Sequence, residues 1–403
     1  MKRLAGLLIA VALAGCVSSR PVPPTTTTPT TAPPAPPMHL ARAGFADMPG
    51  WQAGDAAPAL SAFRRSCDQI AKADPAKPMG GAGYAGSNAD WQAVCSMLPQ
   101  AANARAFFEN TFVPYAISGG ATPEGLFTGY YEPELSASRT RQGKFQTPIY
   151  GLPSDIISVD LGAFRPNLKG ERIAGRVQGG ALVPYDTRAD IENKGLSQAR
   201  ILFYAEDPVA VFFLHIQGSG RVRFEDGSGA RVAYAGQNGQ PYTAIGRTLI
   251  AEGALTTQNV SLQTIRDWLK ANPARAAEVM NTNASYVFFK ETPIGDPALG
   301  AVGAQSVALT PGASLAVDLR LHPLGMPAFL ASTYPDSTAL NTLLITQDTG
   351  GAIRGAVRGD VFWGIGARAE DLAGKMKQPG KLFVLLPKAV ADKLGEQAEF
   401  KSP

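Results

Sequence analysis

The sequence is poor in the residues and motifs that hold metals and nucleotides. Three Cys and three His are scattered over 403 residues, so none of them has the short spacing of a zinc site. No Gly-Lys-Ser/Thr phosphate loop occurs either. The sequence therefore implies neither a metal nor a nucleotide cofactor.

Basic clusters and long apolar runs are also missing. Lys and Arg outnumber Asp and Glu by only 37 to 33, and no run of them forms a basic patch, which argues against a nucleic acid partner. A content of 45% hydrophobic and 17% charged residues is ordinary for a soluble globular protein. A chain of 403 residues can bury a large core and is expected to form two domains.

The N-terminus has the pattern of a bacterial lipoprotein signal. Two basic residues precede the apolar run Leu4–Leu13, which is too short to span a bilayer as a helix. The run ends in Leu13-Ala14-Gly15-Cys16, which resembles a lipobox and predicts a signal peptide at 1–15 and a lipid on Cys16. Val17 replaces the Asp of inner-membrane retention, so an outer membrane lipoprotein facing the periplasm is predicted. An ordinary secretory signal, cut near the same place, is the alternative.

The segment that follows is a tether rather than a domain. It is rich in Pro and Thr and cannot form a hydrophobic core. We interpret residues 16–44 as a lipidated cysteine with an extended linker. In the globular part, Cys67 and Cys95 remain, and in an oxidising periplasm they form either a disulfide or two buried free thiols.

The order of predicted elements suggests one domain inserted into another. Helical spacing occurs in Leu60–Ala73, Trp91–Leu98 and Asn103–Phe112, and residues 136–240 hold many short β-prone runs separated by Gly and Pro. Helical spacing returns after Pro241 and gives way to short strands near the C-terminus. The predicted parts are an outer domain of 45–134 and 241–390, an inserted β domain of 135–240, and a tail of 391–403. A groove between the two domains is the expected ligand site.

Two stretches end predicted strands in glycine-containing loops. Val209–Leu214 is the strongest predicted strand of the insert, and it runs into the polar loop His215–Gly220. Leu126–Thr128 is strand-like and runs into Gly129-Tyr130-Tyr131. Aromatic residues at such a strand end can present flat faces to sugars, although core packing is the alternative for one of the two tyrosines.

Three aspartates near the C-terminus lie beside glycine or proline turns. Asp348 ends the apolar run Leu343–Thr346, Asp360 follows Gly359, and Asp318 follows a similar apolar run. Carboxylates at strand ends can line a cleft, but Asp is also common in turns because it caps backbone N–H groups. Three of them within one compact segment favour an acidic cleft.

Three separated stretches carry a family resemblance. They are Leu126–Pro133, Phe213–Gly220 and Asn341–Pro387. In this order they resemble the membrane-bound lytic murein transglycosylase A family, whose C-terminal 3D domain is named for three aspartates. The resemblance covers residues 45–390 and implies a mainly β fold with flanking helices. In that fold a double-psi β-barrel domain, with its 3D region at 305–388, carries an inserted, smaller β domain.

The resemblance also implies the chemistry. Lytic transglycosylases cleave the β-1,4 bond between N-acetylmuramic acid and N-acetylglucosamine in peptidoglycan, and the C6 hydroxyl of the muramic acid closes a 1,6-anhydro ring. One carboxyl group then serves as acid and base, and burial or a neighbouring carboxylate must keep it protonated near neutral pH. By its match to the family pattern Arg-x-Asp-x-Phe-x-Gly-x-Gly, Asp360 is the predicted acid. Asp348 is the runner-up, and Asp318 completes the cluster.

Residues from both predicted domains are expected to line the sugar path. The predicted substrate-binding residues are Thr128, Gly129, Tyr130, Tyr131, His215, Gln217 and Ser219. The expected partners are peptidoglycan glycan strands, the membrane through Cys16, and a complex of cell-wall enzymes. This chemistry needs no cofactor or metal.

Two other classes of protein remain open. Asp348-Thr349-Gly350 matches the Asp-Thr-Gly motif of aspartic proteases, in which two carboxylates share one proton. A single-chain protease needs a second such motif, and none occurs. The other alternative is a non-catalytic glycan-binding lipoprotein, which would bind its substrate without cleaving a bond.

Overall fold

The computed structural model describes residues 37–98, 103–120, 122–168 and 171–400. The predicted signal peptide, Cys16 and the linker up to residue 36 lie outside these ranges. Among the described residues, no helix is both long and apolar enough to cross a membrane.

Helices and strands are mixed along the described residues. The helices are α1 (Ala57–Ile70), α2 (Asn88–Cys95), α3 (Ala104–Thr111), α4 (Arg188–Lys194), α5 (Pro208–Gln217), α6 (Ile245–Ala251), α7 (Leu262–Ala271), α8 (Pro273–Asn281), α9 (Ala367–Lys375) and α10 (Lys388–Leu394). The strands are β1 (Met38–Arg42), β2 (Phe112–Gly119), β3 (Gly125–Glu132), β4 (Glu134–Ser138), β5 (Thr147–Tyr150), β6 (Ile157–Asp160), β7 (Arg172–Gln178), β8 (Ala181–Pro184), β9 (Ile201–Ala205), β10 (Gly220–Arg223), β11 (Gly229–Gln237), β12 (Val287–Thr292), β13 (Ser314–Ala316), β14 (Pro327–Thr333), β15 (Ala339–Asp348), β16 (Arg358–Ile365), β17 (Lys377–Pro387) and β18 (Gln397–Phe400). Helices α1, α2 and α3 confirm the predicted helical stretches 60–73, 91–98 and 103–112, and α6 to α8 confirm the helices predicted after Pro241.

Six strands close into a ring. They follow the order β14-β15-β13-β16-β3-β17, and β17 pairs back onto β14. Closure leaves these strands without a free edge, and their inward side chains, such as Phe127, Leu344 and Val361, are fully buried. The ring confirms the predicted mainly β fold built on a barrel. Strands β2, β1 and β18 continue the sheet beyond β17.

Helices α1 to α3 pack on the barrel through an aromatic cluster. The rings around Phe63 are Trp91, Phe107, Phe108 and Phe112. Cys67 of α1 and Cys95 of α2 form a disulfide, with their Cα atoms 5.5 Å apart. The structure therefore favours the first of the two alternatives that the sequence left open.

The inserted part contains two further sheets. One has six strands in the order β12-β11-β10-β4-β9-β5, and the other has the order β6-β7-β8. Helices α6 to α8 share an apolar core with α5, in which Phe212, Leu249 and Leu269 are buried. Because β12 pairs with β11, the predicted end of the insert at residue 240 separates two strands that the structure joins.

The predicted linker and the predicted tail each contribute a strand to the barrel sheet. Strand β1 falls within the predicted linker of 16–44, and β18 falls within the predicted tail of 391–403. The two strands pair antiparallel, and β1 also pairs with β2. The backbone N–H and C=O groups of these segments are thus hydrogen-bonded within the sheet. The folded domain therefore includes more of the chain at both ends than predicted.

The predicted strand Val209–Leu214 is wrong, because this segment belongs to helix α5. Asp207 caps the helix by accepting the Val209 N–H at 2.8 Å, and Gly218 ends it in the left-handed region with φ 78°. A short, continuous apolar run shows no periodicity that distinguishes a buried helix from a buried strand. The first half of the predicted loop His215–Gly220 is therefore the last turn of a helix.

A buried carboxylate connects β3 to the six-stranded sheet. Glu132, the last residue of β3, is fully buried and accepts hydrogen bonds from Arg231 at 2.5 and 3.1 Å and from Arg221 at 3.2 Å. The two guanidinium groups also donate to backbone carbonyls between residues 294 and 299. This ion cluster fixes the barrel strand β3 against β10 and β11.

Candidate active site

Two of the three aspartates meet on one face of the barrel sheet. Ala316 of β13 pairs with Asp348 of β15 on one side and with Asp360 of β16 on the other. Thr128 of β3 pairs with Asp360 on the next strand. Because side chains in register point to the same face of a sheet, the two carboxyl groups and the Thr128 hydroxyl lie together. All three side chains are half-buried, so they remain open to a substrate.

Asp360 has the environment of a general acid. The Thr128 hydroxyl donates to Oδ1 of Asp360 at 2.7 Å, and no described residue hydrogen-bonds Oδ2. Burial raises the pKa of Asp360 to about 6, against the Thr128 hydrogen bond and the Arg358 charge, and the Asp348 carboxylate adds to the rise. A carboxyl group with such a pKa is partly protonated near neutral pH and can donate a proton from its unengaged oxygen.

Asp348 is held as a hydrogen-bond acceptor on both oxygens. Tyr130 Oη donates to its Oδ2 at 2.8 Å, and the Ala304 N–H donates to its Oδ1 at 3.0 Å. Burial raises the pKa of Asp348, and these donors oppose that rise. Because neither oxygen is unengaged, Asp348 is less suited than Asp360 to transfer a proton to a substrate.

Asp318 is paired with a cation, and its described hydrogen bonds join it to Arg320 and Gly355. It is fully buried, binds the Arg320 guanidinium at 2.8 and 3.0 Å, and accepts the Gly355 N–H at 3.0 Å. Burial alone would raise the pKa of Asp318, but these donors outweigh it and lower the pKa. Its charge is therefore neutralised locally, which suits an anchor for the loop before β16. Nowhere in the described part of the chain do three His, Cys, Asp or Glu side chains form a group that could hold a metal ion.

The two tyrosines of β3 point to opposite faces of their strand. Both lie within β3, which continues to Glu132, so the predicted strand end after Thr128 is wrong. Tyr130 reaches Asp348, whereas Tyr131 is 3% exposed and its hydroxyl accepts from Arg266 at 3.1 Å. Gly129, just before them, lets the Trp363 indole approach closely, because a Cβ atom at position 129 would lie 2.4 Å from the indole nitrogen. Tyr131 thus packs in the interior, as expected for one of the pair.

The residues of the insert that were predicted to contact the sugar, His215, Gln217 and Ser219, lie in three different environments. His215 is 4% exposed and its Nδ1 lies 2.9 Å from Arg188 Nη1, so it lies in the core of the insert. Gln217 uses its Oε1 to accept the Tyr131 N–H at 3.1 Å, which ties α5 to β3. Ser219 is half-buried and makes no side-chain hydrogen bond to a described residue. The structure therefore brings Thr128 and Tyr130 to the carboxyl groups, but not His215.

The sequence analysis assigned no role to two charged residues, Arg358 at this site and Glu132 in the buried ion cluster at the end of β3. Arg358 donates from Nη2 to Thr128 Oγ1 at 2.9 Å, and it is the first residue of the pattern Arg-x-Asp that singled out Asp360. Glu132 was part of the quoted motif Leu126–Pro133 without a predicted role. Both residues belong to the motifs that carry the family resemblance. Their hydrogen-bond partners are distant along the chain, so local spacing does not predict their roles.

Comparison with known proteins gives the family. The MltA specific insert domain matches residues 126–290, and the 3D domain matches residues 313–386. The chain is similar to the crystal structure of MltA from Neisseria gonorrhoeae, with 35% identity, a TM-score of 0.70, and coverage of 88% of this chain and 94% of that one. The chain belongs to the membrane-bound lytic murein transglycosylase A family. The predicted resemblance is thereby confirmed.

Two further members of the family are also similar to this chain. The membrane-bound lytic murein transglycosylase A of Escherichia coli K12 is 33% identical over 267 residues, which are 64% of this chain and 65% of that protein. The membrane-bound lytic murein transglycosylase from Agrobacterium tumefaciens is 30% identical in structure comparison, with a TM-score of 0.77 and coverage of 88% and 99%. The match to the family's insert ends at residue 290, within strand β12, which forms one edge of the six-stranded sheet.

Proposed function

We propose that this chain is a lytic transglycosylase that cleaves the β-1,4 bond between N-acetylmuramic acid and N-acetylglucosamine in peptidoglycan. The observation that carries the proposal is Asp360, a half-buried carboxyl group with a pKa raised to about 6 and with Oδ2 unengaged by any described residue. Family membership supports it, and the crystal structure of MltA from Escherichia coli contains a bound oligosaccharide, chitohexaose. Glycan strands are thus the proposed substrate.

Asp360 acts first as acid and then as base. Its Oδ2 proton passes to the glycosidic oxygen as the bond from that oxygen to the anomeric carbon breaks. The C6 hydroxyl of the muramic acid then attacks the anomeric carbon, and its proton passes to the Asp360 carboxylate. The ring closes as a 1,6-anhydro sugar, no water is consumed, and the acid is regenerated.

The surroundings of the second carboxylate favour this single-acid scheme over hydrolysis. Hydrolytic glycosidases use a second carboxyl group as base or nucleophile. Asp348 would have to release the Tyr130 hydroxyl or the Ala304 N–H to play that part. Its proposed role is electrostatic, because its negative charge disfavours the ionised form of Asp360.

The products of murein digestion test the function. Purified murein treated with this protein should release anhydro-muropeptides, which mass spectrometry detects because they are lighter by one water than hydrolysis products. Muropeptides with free reducing ends would instead identify a hydrolase. Binding without any cleaved bond would identify a glycan-binding protein, and cleaved peptides would identify a protease.

Replacing Asp348 with Asn should shift the pH dependence of cleavage. Cleavage requires protonated Asp360, so activity is lost as the pH rises through the pKa of that group. Removing the neighbouring charge lowers this pKa, so the high-pH limb of kcat/KM should move to lower pH. Activity at the optimum should fall less than in a variant of Asp360 itself.

Asp371→Asn is the matched control for this prediction. Asp371 is exposed and paired with Lys375 on the surface of α9, so its charge is screened by water. The control should keep the pH profile of the wild type. A high-pH limb of Asp348→Asn that stays in place or moves upward would exclude the electrostatic role.

We further propose that the protein is an outer membrane lipoprotein, attached through Cys16 and facing the periplasm, where it meets murein and other wall enzymes. Cys16 lies outside the described residues, and the proposal rests on the lipobox-like end of its signal. Wild-type protein should incorporate labelled palmitate and fractionate with the outer membrane. Cys16→Ser should appear in the soluble periplasmic fraction, and a wild type that never takes up palmitate would refute the anchor.

A further inference from the structure

Two side chains link Asp360 to a cation on the same face of the sheet. Arg358 lies two residues before Asp360 on β16, so both side chains point to one face. Its Nη2 lies 2.9 Å from Thr128 Oγ1, which in turn lies 2.7 Å from Asp360 Oδ1. Nη1 of Arg358 also donates to the Leu126 carbonyl at 3.3 Å, which helps to hold the guanidinium in place.

The chemistry of these groups sets the direction of the hydrogen bonds. A guanidinium has donors only, so the Thr128 oxygen must accept from Arg358. Thr128 has a single hydroxyl proton, and the nearby cation favours its donation to a carboxyl oxygen. Oδ1 of Asp360 is then occupied as an acceptor, whereas Oδ2 is engaged by no described residue.

We propose that Arg358 is a positioning residue that acts through Thr128 to keep the transferable proton of Asp360 on Oδ2. The inference rests on the proposed function, in which that proton passes to the glycosidic oxygen. Without Arg358, the Thr128 hydroxyl can turn and accept a hydrogen bond from Oδ1. The proton of Asp360 can then lie on either Oδ1 or Oδ2, and only a proton on Oδ2 can pass to the glycosidic oxygen. The residue predicted to bind substrate, Thr128, thereby has a different role.

The other groups around Asp360 do not provide this orientation. Asp348 faces it from β15, Tyr130 from β3, and β13 contributes only the methyl group of Ala316. The Tyr130 hydroxyl is directed to Asp348. Burial raises the pKa of Asp360, while the Thr128 hydrogen bond and the Arg358 charge hold it down, so loss of either should raise it.

Two variants test the proposal in the full chain. Arg358→Met keeps the length of the side chain without its donors, and Thr128→Val keeps the shape without the hydroxyl. Each should lower kcat on murein by about 10-fold to 100-fold, the range expected when a hydrogen bond to a charged group is lost. KM should stay within about twofold of the wild-type value, because in this proposal neither side chain contributes to binding of the substrate. The high-pH limb should move upward by about 0.5 to 1 pH unit.

Conservative variants and a double variant separate positioning from a structural role. Arg358→Lys and Thr128→Ser should recover part of kcat, because a donor and a hydroxyl return. The variant with both Arg358→Met and Thr128→Val should be no slower than Thr128→Val alone, since Arg358 acts through Thr128. Multiplying losses in the double variant, or a rise in KM with kcat unchanged, would overturn the proposal.

A measurement without substrate separates this inference from the proposed function. Carbon-13 NMR of the Asp360 carboxyl group should show titration at higher pH in Arg358→Met and in Thr128→Val than in the wild type. Titration at the wild-type pH in both variants would overturn the positioning role even if the wild type cleaves murein. A wild type that releases no anhydro-muropeptides would instead refute the proposed function, whatever the titrations show.

Discussion

Replacing Asp360 with Asn should lower the rate of murein cleavage by about 10²-fold to 10⁴-fold, the usual contribution of a general acid. The amide keeps the shape of the side chain and can still accept the Thr128 hydroxyl, but it has no proton that can be transferred and returned. The release of anhydro-muropeptides from purified murein measures the effect. Binding of murein should persist, because only the transferable proton is lost.

Thermal unfolding provides the control for folding. A carboxyl group whose pKa is higher in the folded than in the unfolded state costs stability once the pH rises above about 4, its unfolded value. Asp360→Asn should therefore unfold at a higher temperature than the wild type near pH 7.5, and this difference should vanish below about pH 4. Full activity in this variant, together with an inactive Asp348→Asn, would identify Asp348 as the acid.

Replacing Glu132 with Gln should lower the free energy of unfolding by about 3–5 kcal/mol, the cost of removing one partner from a buried ion pair. Glu132 is fully buried between Arg221 and Arg231. Without the Glu132 carboxylate, the two buried guanidinium groups have no anion to pair with. Urea-induced unfolding measures the effect, and cleavage activity should fall as well because β3 carries Thr128 and Tyr130.

Glu134→Gln is the matched control, two residues further along the chain. Glu134 pairs with Arg223 at 2.6 Å, but both side chains are exposed. An exposed ion pair contributes at most about 1 kcal/mol, so the control should unfold almost like the wild type. Equal losses of stability in the two variants would mean that the buried cluster does not hold β3 against the insert.

Local sequence predicts the position of Asp348 at the end of a strand correctly, but it does not predict the position of Asp360 within its strand. Asp348 does end a strand, as the apolar run before it predicts. Asp360 is the third residue of β16 and not at a strand end. The glycine before it, Gly359, suggests a turn, but a Cβ atom there would lie 2.7 Å from a Leu315 methyl group. This glycine therefore serves close packing inside the barrel rather than a turn.

Contacts between distant parts of the chain were beyond sequence patterns. Thr128 and Arg358 are 230 residues apart, and no local spacing predicts that they meet. Barrel closure likewise depends on β17 pairing with β14 and β3, so it was expected from the family resemblance and not from periodicity. A letter match can also mislead: residues 81–86 fit Gly-x-Gly-x-x-Gly, but they follow α1 and not a strand, so they lack the context of a dinucleotide site.

Asp360 is the proposed acid because burial raises its pKa to about 6, so a fraction of it is protonated near neutral pH. The direct measurement is the pH titration of the Asp360 carboxyl carbon by NMR in the wild type, compared with the high-pH limb of kcat/KM for murein cleavage. Titration at about pH 6 that coincides with this limb is the predicted result. Titration at about pH 4, the value of an unperturbed aspartate, with cleavage still active at pH 7, would contradict the claim.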